Sequence, residues 1–303
     1  KGVGQLSVRL RDADVVVLIR ERTQITRQLL DKLPRLKLIA QTGKAGAHID
    51  VEACTDHGVA IAEGVGSPVA PAELTWALIM AAMRRLPQYI ANLKHGAWQQ
   101  SGFKAAYMPV NFGMGSVLRG RTLGIWGYGR IGQIVARYGQ AFGMQVRIWG
   151  RPESLQRAAA DGFVPSSSKE EFFAGCDVLS LHLRLNDATR GIVTGRDLAR
   201  MRPTALFVNT SRAELVEPEA LLTALQNGRP GLAAVDAFES EPILQGHALL
   251  RLENCICTPH IGYVEQDSYE LYFRAAFENV VNFIGGQPTN ILNPEVFSGP
   301  LRA

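Results

Sequence analysis

A glycine turn in the middle of the chain constrains this sequence most. Gly127-Tyr128-Gly129-Arg130-Ile131-Gly132 follows the short apolar run 123–126. It opens a stretch to residue 142 with helical apolar spacing at Ile131, Ile134, Val135 and Tyr138. That reads as strand, glycine turn, helix. The first glycine permits the tight turn, the second lets the backbone approach a pyrophosphate, and the third lets helix and strand pack closely. The helix start then offers free N–H groups and a positive dipole end to phosphate. The glycine pattern alone is weak, because chance turns also satisfy it; the flanking strand and helix make it a dinucleotide-binding unit. More than a third of the chain precedes it, so something else is built first.

The length of 303 residues suggests two domains of ordinary size. Apolar content of 47% with 20% charge excludes disordered and membrane classes. The net charge of +4, without blocks of one sign, argues against nucleic acid and suits a small anionic substrate. Few, scattered cysteines (Cys54, Cys176, Cys255, Cys257) imply a reduced, cytoplasmic protein. Cys255-Ile256-Cys257 has the wrong spacing for a zinc knuckle. Strand alternation puts both thiols on one face, where they read as small buried apolar residues. No cluster has metal-ligand spacing, so no metal is expected. No signal peptide or transmembrane run is visible, and membrane partners are not expected. The start at Lys1, without methionine, suggests that the true N-terminus is missing.

Apolar runs at 15–19, 36–40, 59–62, 123–126, 146–149, 178–183, 205–209, 233–237 and 255–258 read as short buried strands. Helical patterns at 26–32, 69–93, 131–142, 154–160, 195–200, 218–227 and 266–283 separate them. Ser168 reads as an N-cap after a serine loop. Such alternation implies parallel sheets covered by helices, and there are too many strands for one sheet. The expected fold class is α/β with two Rossmann-like or flavodoxin-like domains. The stretch 69–93 is apolar nearly all round, as a buried helix is; a dimer contact is expected there.

Three segments after the glycine turn carry chemistry, each following an apolar strand, where open α/β sheets bind ligands. In Asn209-Thr210-Ser211-Arg212, the arginine presents a planar fork to a carboxylate. Asp236-Ala237-Phe238-Glu239-Ser240-Glu241-Pro242 crowds carboxylates into a loop. Glu241 precedes a proline and suits an orienting role, while Asp236 can accept from a cofactor amide. In Thr258-Pro259-His260-Ile261-Gly262, a rigidly placed histidine can move a proton near neutral pH. Taken singly, each has a bland reading: an exposed arginine, a solvated acidic turn, a structural histidine. Together they would hold an oxo-acid, move its hydroxyl proton and orient the imidazole.

At this point the chain resembles the D-isomer-specific 2-hydroxyacid dehydrogenases over nearly its whole length. The carrying motifs are GYGRIG (127–132), NTSRAELV (209–216), DAFESEP (236–242) and TPHIG (258–262). The resemblance implies catalytic roles for Arg212, Glu241 and His260. It implies a substrate domain from both chain ends (1–68 plus 263–303) with the NAD(P)-binding Rossmann domain, 69–262, inserted between. A homodimer built around 69–93 is implied too. On the cofactor side it assigns Thr75, Gly127, Gly129, Arg130, Ile131, Gly132, Leu183, Thr210, Ser211 and Asp236, with His260 and Tyr263 bordering the nicotinamide. The implied activity is hydride transfer between NAD or NADP and a D-2-hydroxy acid or 2-oxo acid.

The chain also departs from the family pattern. The opening strand and helix are missing. The substrate loop reads Gly43-Lys44-Ala45-Gly46-Ala47-His48-Ile49-Asp50 instead of GVGxDxID and looks short. Tyr263 follows Gly262 where glycine is usual, and Arg184 stands where proline is usual. Gly150 occupies the position of the acid that binds ribose hydroxyls in NAD enzymes, and Arg151 follows it, a combination that tilts toward NADP. Arg20 and Arg22 resemble the arginine pair that phosphoglycerate dehydrogenases use for phosphate, with Lys44, Ala45 and Gly46 in the adjoining loop; Glu21 between them is expected to point away. No regulatory domain is expected after Ala303. Phosphoglycerate, glyoxylate or hydroxypyruvate, and larger 2-oxo acids all stay open. A non-catalytic NAD(H)-sensing interaction protein on the same scaffold is the competing class, though no exposed motif-binding tail is visible. An S-adenosylhomocysteine hydrolase-like enzyme would need a longer chain.

Overall fold

The computed structural model describes residues 2–96, 98 and 114–298. The chain divides into two compact units. One takes the residues up to Ser67 and from Glu265 on; the other runs from Pro68 to Val264.

The first unit carries a parallel sheet of β1 (Val15–Leu18), β2 (Leu38–Gln41) and β3 (Ala60–Ala62), in that order. Side chains alternate across a strand, so Val16, Leu18, Ile39 and Ile61 share one core with Leu29, Leu30 and Leu33. Helices α1 (Val3–Leu10), α2 (Arg27–Leu30) and α3 (Val51–Asp56) flank them. The helix expected to be missing before the first strand is therefore present as α1. Val3, Leu6 and Leu10 pack it on the core, a pattern too short to stand out in the sequence. Caps start the other two: Thr26 Oγ1 accepts from Leu29 N, and Asp50 Oδ1 accepts from Ala53 N.

The second unit opens with α4 (Val69–Met83) and α5 (Leu86–Lys94). The single helix expected over 69–93 is broken, because Pro87 has no N–H to donate to Met83. The chain turns at Arg85, whose φ is +55°, and Ser116 N donates to the Met83 carbonyl instead (2.7 Å). α4 is largely buried, whereas α5 leaves Leu86, Ile90 and Leu93 exposed on one face.

A seven-stranded, all-parallel sheet follows: β4 (Thr122–Trp126), β5 (Gln145–Trp149), β6 (Val164–Pro165), β7 (Val178–Leu181), β8 (Leu206–Asn209), β9 (Leu232–Val235) and β10 (Cys255–Cys257). The spatial order is β10-β9-β8-β7-β4-β5-β6. The chain runs outward from β4 in one direction, returns, and runs outward in the other, so the switch point lies between β4 and β7. Strand β6 escaped notice in the sequence because it is two residues long and contains proline, which only an edge tolerates. Helices α6 (Arg130–Ala141), α7 (Pro152–Ala160), α8 (Lys169–Gly175), α9 (Gly195–Arg200) and α10 (Ala220–Gln226) cover both faces. One face packs Leu123, Ile125, Ile148 and Val208 against α4 and α6. The other packs Leu179, Leu181 and Phe207 against Phe172, Phe173 and Leu198. The chain then re-enters the first unit through α11 (Gln266–Ile284), which packs near β2.

Candidate active site

The glycine turn lies at the switch point, outside the carboxyl end of β4, where open α/β sheets bind ligands. Gly127 has φ +102°, and a Cβ there would stand 2.5 Å from the His182 carbonyl oxygen. A Cβ on Gly132 would collide with the Gly127 carbonyl oxygen, so helix α6 and the turn need both glycines. Gly129 differs: nothing lies within 4 Å of where its Cβ would be. That open space is on the exposed side of the turn, where a pyrophosphate would approach. Gly129 N-caps α6 without any side-chain cap, and a helix start offers N–H groups and a positive dipole end to an anion. The turn therefore fits a dinucleotide.

His260 and Glu241 pair beyond the ends of β10 and β9, on the other half of the sheet. His260 Nδ1 donates to both Glu241 oxygens, at 2.7 Å and 2.9 Å. Glu241 Oε1 also accepts from Phe238 N at 3.0 Å, which fixes the carboxylate from behind. His260 has φ +54°, a left-handed conformation that costs a non-glycine residue about 1 kcal/mol. Its amide donates to the Thr258 carbonyl (2.9 Å), and its ring meets Tyr263 edge to face at 5.9 Å. The pair leaves Nε2 as the ring nitrogen for a substrate. Arg212 follows β8 on a turn organised by Asn209: its Nδ2 donates to the Arg212 carbonyl (2.8 Å), and its Oδ1 accepts from Ser211 N (3.0 Å). Arg212 is half-buried, and its Nη1 donates to the Ser211 carbonyl. Asn209 is the organising residue that the sequence reading passed over, although an asparagine at a strand end before Thr-Ser-Arg is an Asx-turn signal.

Asp236 is 1% exposed, and its oxygens accept from Thr258 Oγ1 (2.6 Å), Ile261 N and Gly262 N (both 2.9 Å). Burial pushes its carboxyl up, and these donors pull against that. Three of about four lone-pair sites are spent on the His260 segment, so Asp236 primarily holds that segment in place and keeps one site for a cofactor amide. Thr75 is fully buried. Its hydroxyl donates to the Pro71 carbonyl (2.7 Å) and meets Thr210 Oγ1 at 2.8 Å. Through Thr210 it ties α4 to the segment that follows β8. Ser211 Oγ donates to the Leu181 carbonyl (2.8 Å), and the Leu183 side chain packs beside Gly127. At the end of β5, Gly150 leaves room: the nearest side-chain atom to its Cβ position is Ser154 Cβ, at 3.6 Å. Arg151 follows it, exposed, as the N-cap of α7.

Other candidates lie in the first unit. Arg20 turns with φ +57° after β1; its amide donates to Thr42 Oγ1 (3.2 Å), and its carbonyl accepts from Gln41 Nε2 (3.0 Å). Its guanidinium sits 6.0 Å from the centre of the Tyr272 ring. This turn cancels strand alternation, so Glu21 does not point away: its carboxylate lies beside Gly46 and His48. Arg22 is exposed nearby. The charge of Lys44 is balanced by Glu63 (2.7 Å), whose other oxygen accepts from Ala45 N (2.9 Å). Nothing in the sequence linked Glu63 to that loop.

A further cavity of about 200 Å3, partly open to solvent, lies under the ends of β8 and β9, with Asn209, Ala213, Glu217, Glu239 and His247 in its lining. The paired His260 and Glu241 are not part of that lining. Among the described residues no cluster could hold a metal, and no helix is long and apolar enough to cross a membrane.

The doubly wound sheet and its glycine turn define a dinucleotide-binding protein, and the charged residues at its strand ends suit acid chemistry. Residues 76–262 match the family model described as D-isomer specific 2-hydroxyacid dehydrogenase, NAD binding domain. The glyoxylate reductase of Aeropyrum pernix is 36% identical, over 94% of this chain and 84% of that protein. The D-3-phosphoglycerate dehydrogenase of Methanocaldococcus jannaschii is 34% identical over 95% of this chain, which spans only 53% of that longer protein. A Ralstonia solanacearum structure, provisionally described as a D-3-phosphoglycerate dehydrogenase oxidoreductase, shares 64% identity with a TM-score of 0.95, covering 99% of this chain and 89% of the other. A phosphoglycerate oxidoreductase structure from Vibrio cholerae shares 56% with a TM-score of 0.87, covering 94% and 88%. The chain belongs to the D-isomer-specific 2-hydroxyacid dehydrogenase family. It is an oxidoreductase acting on CH–OH donors with a nicotinamide dinucleotide as cofactor.

Proposed function

We propose that Arg212, Glu241 and His260 form the catalytic set and that the substrate is a D-2-hydroxy acid or its 2-oxo acid. The bidentate contact between His260 Nδ1 and Glu241 carries this reading. It fixes the tautomer so that Nε2 faces the reacting oxygen. Arg212 binds the substrate carboxylate through its planar guanidinium. In the reducing direction His260 gives a proton to the oxo oxygen; in the oxidising direction it takes one from the hydroxyl. A nicotinamide dinucleotide, when bound, supplies or accepts the hydride. The Asp236 hydrogen bonds keep residues 258–262 in register, and the glycine turn with the uncapped start of α6 receives the pyrophosphate.

The absent acid at Gly150, with Arg151 beside it, favours NADP. For the substrate's distal end, Arg20 and Arg22 favour an anionic group such as phosphate, in keeping with relatives named D-3-phosphoglycerate dehydrogenase. Lys44 contributes little charge, being balanced by Glu63. The protein acts as a cytoplasmic homodimer in this reading, with the exposed Leu86, Ile90 and Leu93 face of α5 supplying the contact. The test is oxidation of NADH and NADPH, followed by absorbance, with glyoxylate, hydroxypyruvate, phosphohydroxypyruvate and branched 2-oxo acids. Turnover with a phosphate-bearing substrate, lost in Arg212→Ala, is the expected result. Tight nucleotide binding without turnover on any of them would instead favour a sensing protein.

A further inference from the structure

The two thiols of β10 were expected to be inert filling. They are half-buried and unbridged, and their sulfur atoms are 3.8 Å apart on one face of the strand. Cys257 is separated from His260 only by Thr258 and Pro259. β10 is the edge of the seven-stranded sheet and pairs only with β9, through Cys255–Ala233, Ile256–Ala234 and Cys257–Val235. We propose that Cys255 and Cys257 are a redox modification site, which a hydroperoxide converts to a disulfide that displaces His260 and reversibly lowers turnover.

The chemistry balances with the hydroperoxide as the named oxidant. The Cys257 thiolate attacks the O–O bond, which breaks; the sulfur becomes a sulfenic acid, and water (from hydrogen peroxide) or an alcohol leaves. Cys255 then attacks that sulfur, the S–S bond forms and a second water leaves. Overall the two thiols lose two protons and two electrons, and the peroxide is reduced by the same amount. Cys257 suits the first step. The contact between the two sulfur atoms holds Cys257 below the usual thiol range, while the same contact and burial push Cys255 up.

The geometry supplies the consequence. Alternate residues of a strand stand about 6.6 Å apart at Cα, at the long end of what a disulfide spans, whose usual span is about 5.5–6 Å. Closing the bond therefore shortens the strand by something under about 1 Å. An edge strand with one neighbour is free to yield. The pull falls on Thr258, whose amide donates to Val235 and whose hydroxyl donates to Asp236. It then reaches His260, which sits at φ +54° and depends on its two contacts with Glu241. Cys54 and Cys176 are fully buried and lie on other elements, so they are not partners in this step.

The experiment treats the purified full chain with hydrogen peroxide, then with dithiothreitol. The expected product is lighter by two hydrogens, with a Cys255–Cys257 crosslink in its peptide map. Amide exchange over 258–264 should quicken, and kcat should fall about tenfold or more, recovering on reduction. Cys255→Ser and Cys257→Ser should keep basal kcat and lose the peroxide response. A stable sulfinic acid at Cys257, a crosslink to another cysteine, or a confirmed crosslink with unchanged exchange over 258–264 would each overturn the proposal. Only the kcat measurement rests on the dehydrogenase reading. If no 2-oxo acid is turned over, the crosslink and the exchange still decide this inference, so the two failures are distinguishable.

Discussion

Replacing Glu241 by glutamine isolates what its charge does. Glutamine keeps the shape and can still accept the Phe238 amide, which is 3.0 Å from Oε1. It loses the negative charge that faces His260 Nδ1 at 2.7 Å and 2.9 Å. A hydrogen bond to a charged partner contributes about 1.5–3 kcal/mol, against about 1 for a neutral one. The carboxylate side chain is 37% exposed, so solvent screens part of the difference. About 0.5–1.5 kcal/mol of transition-state stabilisation should be lost, which is roughly a 2- to 13-fold fall in kcat. KM for the oxo-acid should change little, because Arg212 holds the carboxylate, and cofactor affinity should not change. The decisive assay is a double-mutant cycle by steady-state kinetics. Glu241 acts through the imidazole in this scheme, so Glu241→Gln should cost almost nothing in a His260→Ala background. Equal costs in both backgrounds would refute the orienting role, and full turnover in His260→Ala would refute the proton transfer itself.

Two glycines of the same turn should fail in opposite ways. Gly129→Ala meets open space, so its stability should stay within about 0.5 kcal/mol while dinucleotide affinity, by fluorescence titration, falls about tenfold or more. Gly132→Ala forces a Cβ onto the Gly127 carbonyl and should lose about 1–3 kcal/mol in urea unfolding. Gly150→Asp has room beside Ser154 and should shift the NADPH/NADH ratio of kcat/KM about tenfold or more toward NADH; an unchanged ratio would show that this position does not select the nucleotide. His182 is held by burial at a pKa of about 4, below its ordinary 6.5. The unfolded chain therefore binds the proton first, and stability is fully present above about pH 6.5 and declines as pH falls toward 4, by about 3 kcal/mol in all. His182→Gln should flatten the Tm-against-pH curve over that range, and an unchanged slope would exclude His182 as its source.

The class of fold was legible because parallel strands, buried on both faces, appear as apolar runs, and all nine runs fall on observed strands. What the runs hid was punctuation. The break between α4 and α5 depends on a missing N–H at Pro87 and a replacement donor at Ser116, far along the chain. Strand β6 has too few residues to show a period. The candidate site was legible by residue type at strand ends. Its internal wiring was not, because it runs between distant segments: Thr75 to Thr210, Glu63 to Ala45, Asp236 to Gly262.

Backbone conformation supplies what residue type could not. Arg20 and His260 are both non-glycine residues at positive φ, one in each unit. Such conformations persist only where surrounding contacts over-determine them. At His260 the contacts are the Glu241 carboxylate and the Asp236-anchored loop; at Arg20 they are Gln41 and Thr42. In each case the strained residue is the charged or titratable one, and its holders are neighbours in space that come from other segments of the chain. Asp236 spends three hydrogen bonds from a buried position on a segment it does not belong to, an expense that stability alone does not explain, since an apolar residue there would avoid desolvating a carboxylate. Holding an imidazole in a left-handed turn does explain it, and it makes Asp236 a positioning residue for His260 as well as a candidate cofactor contact.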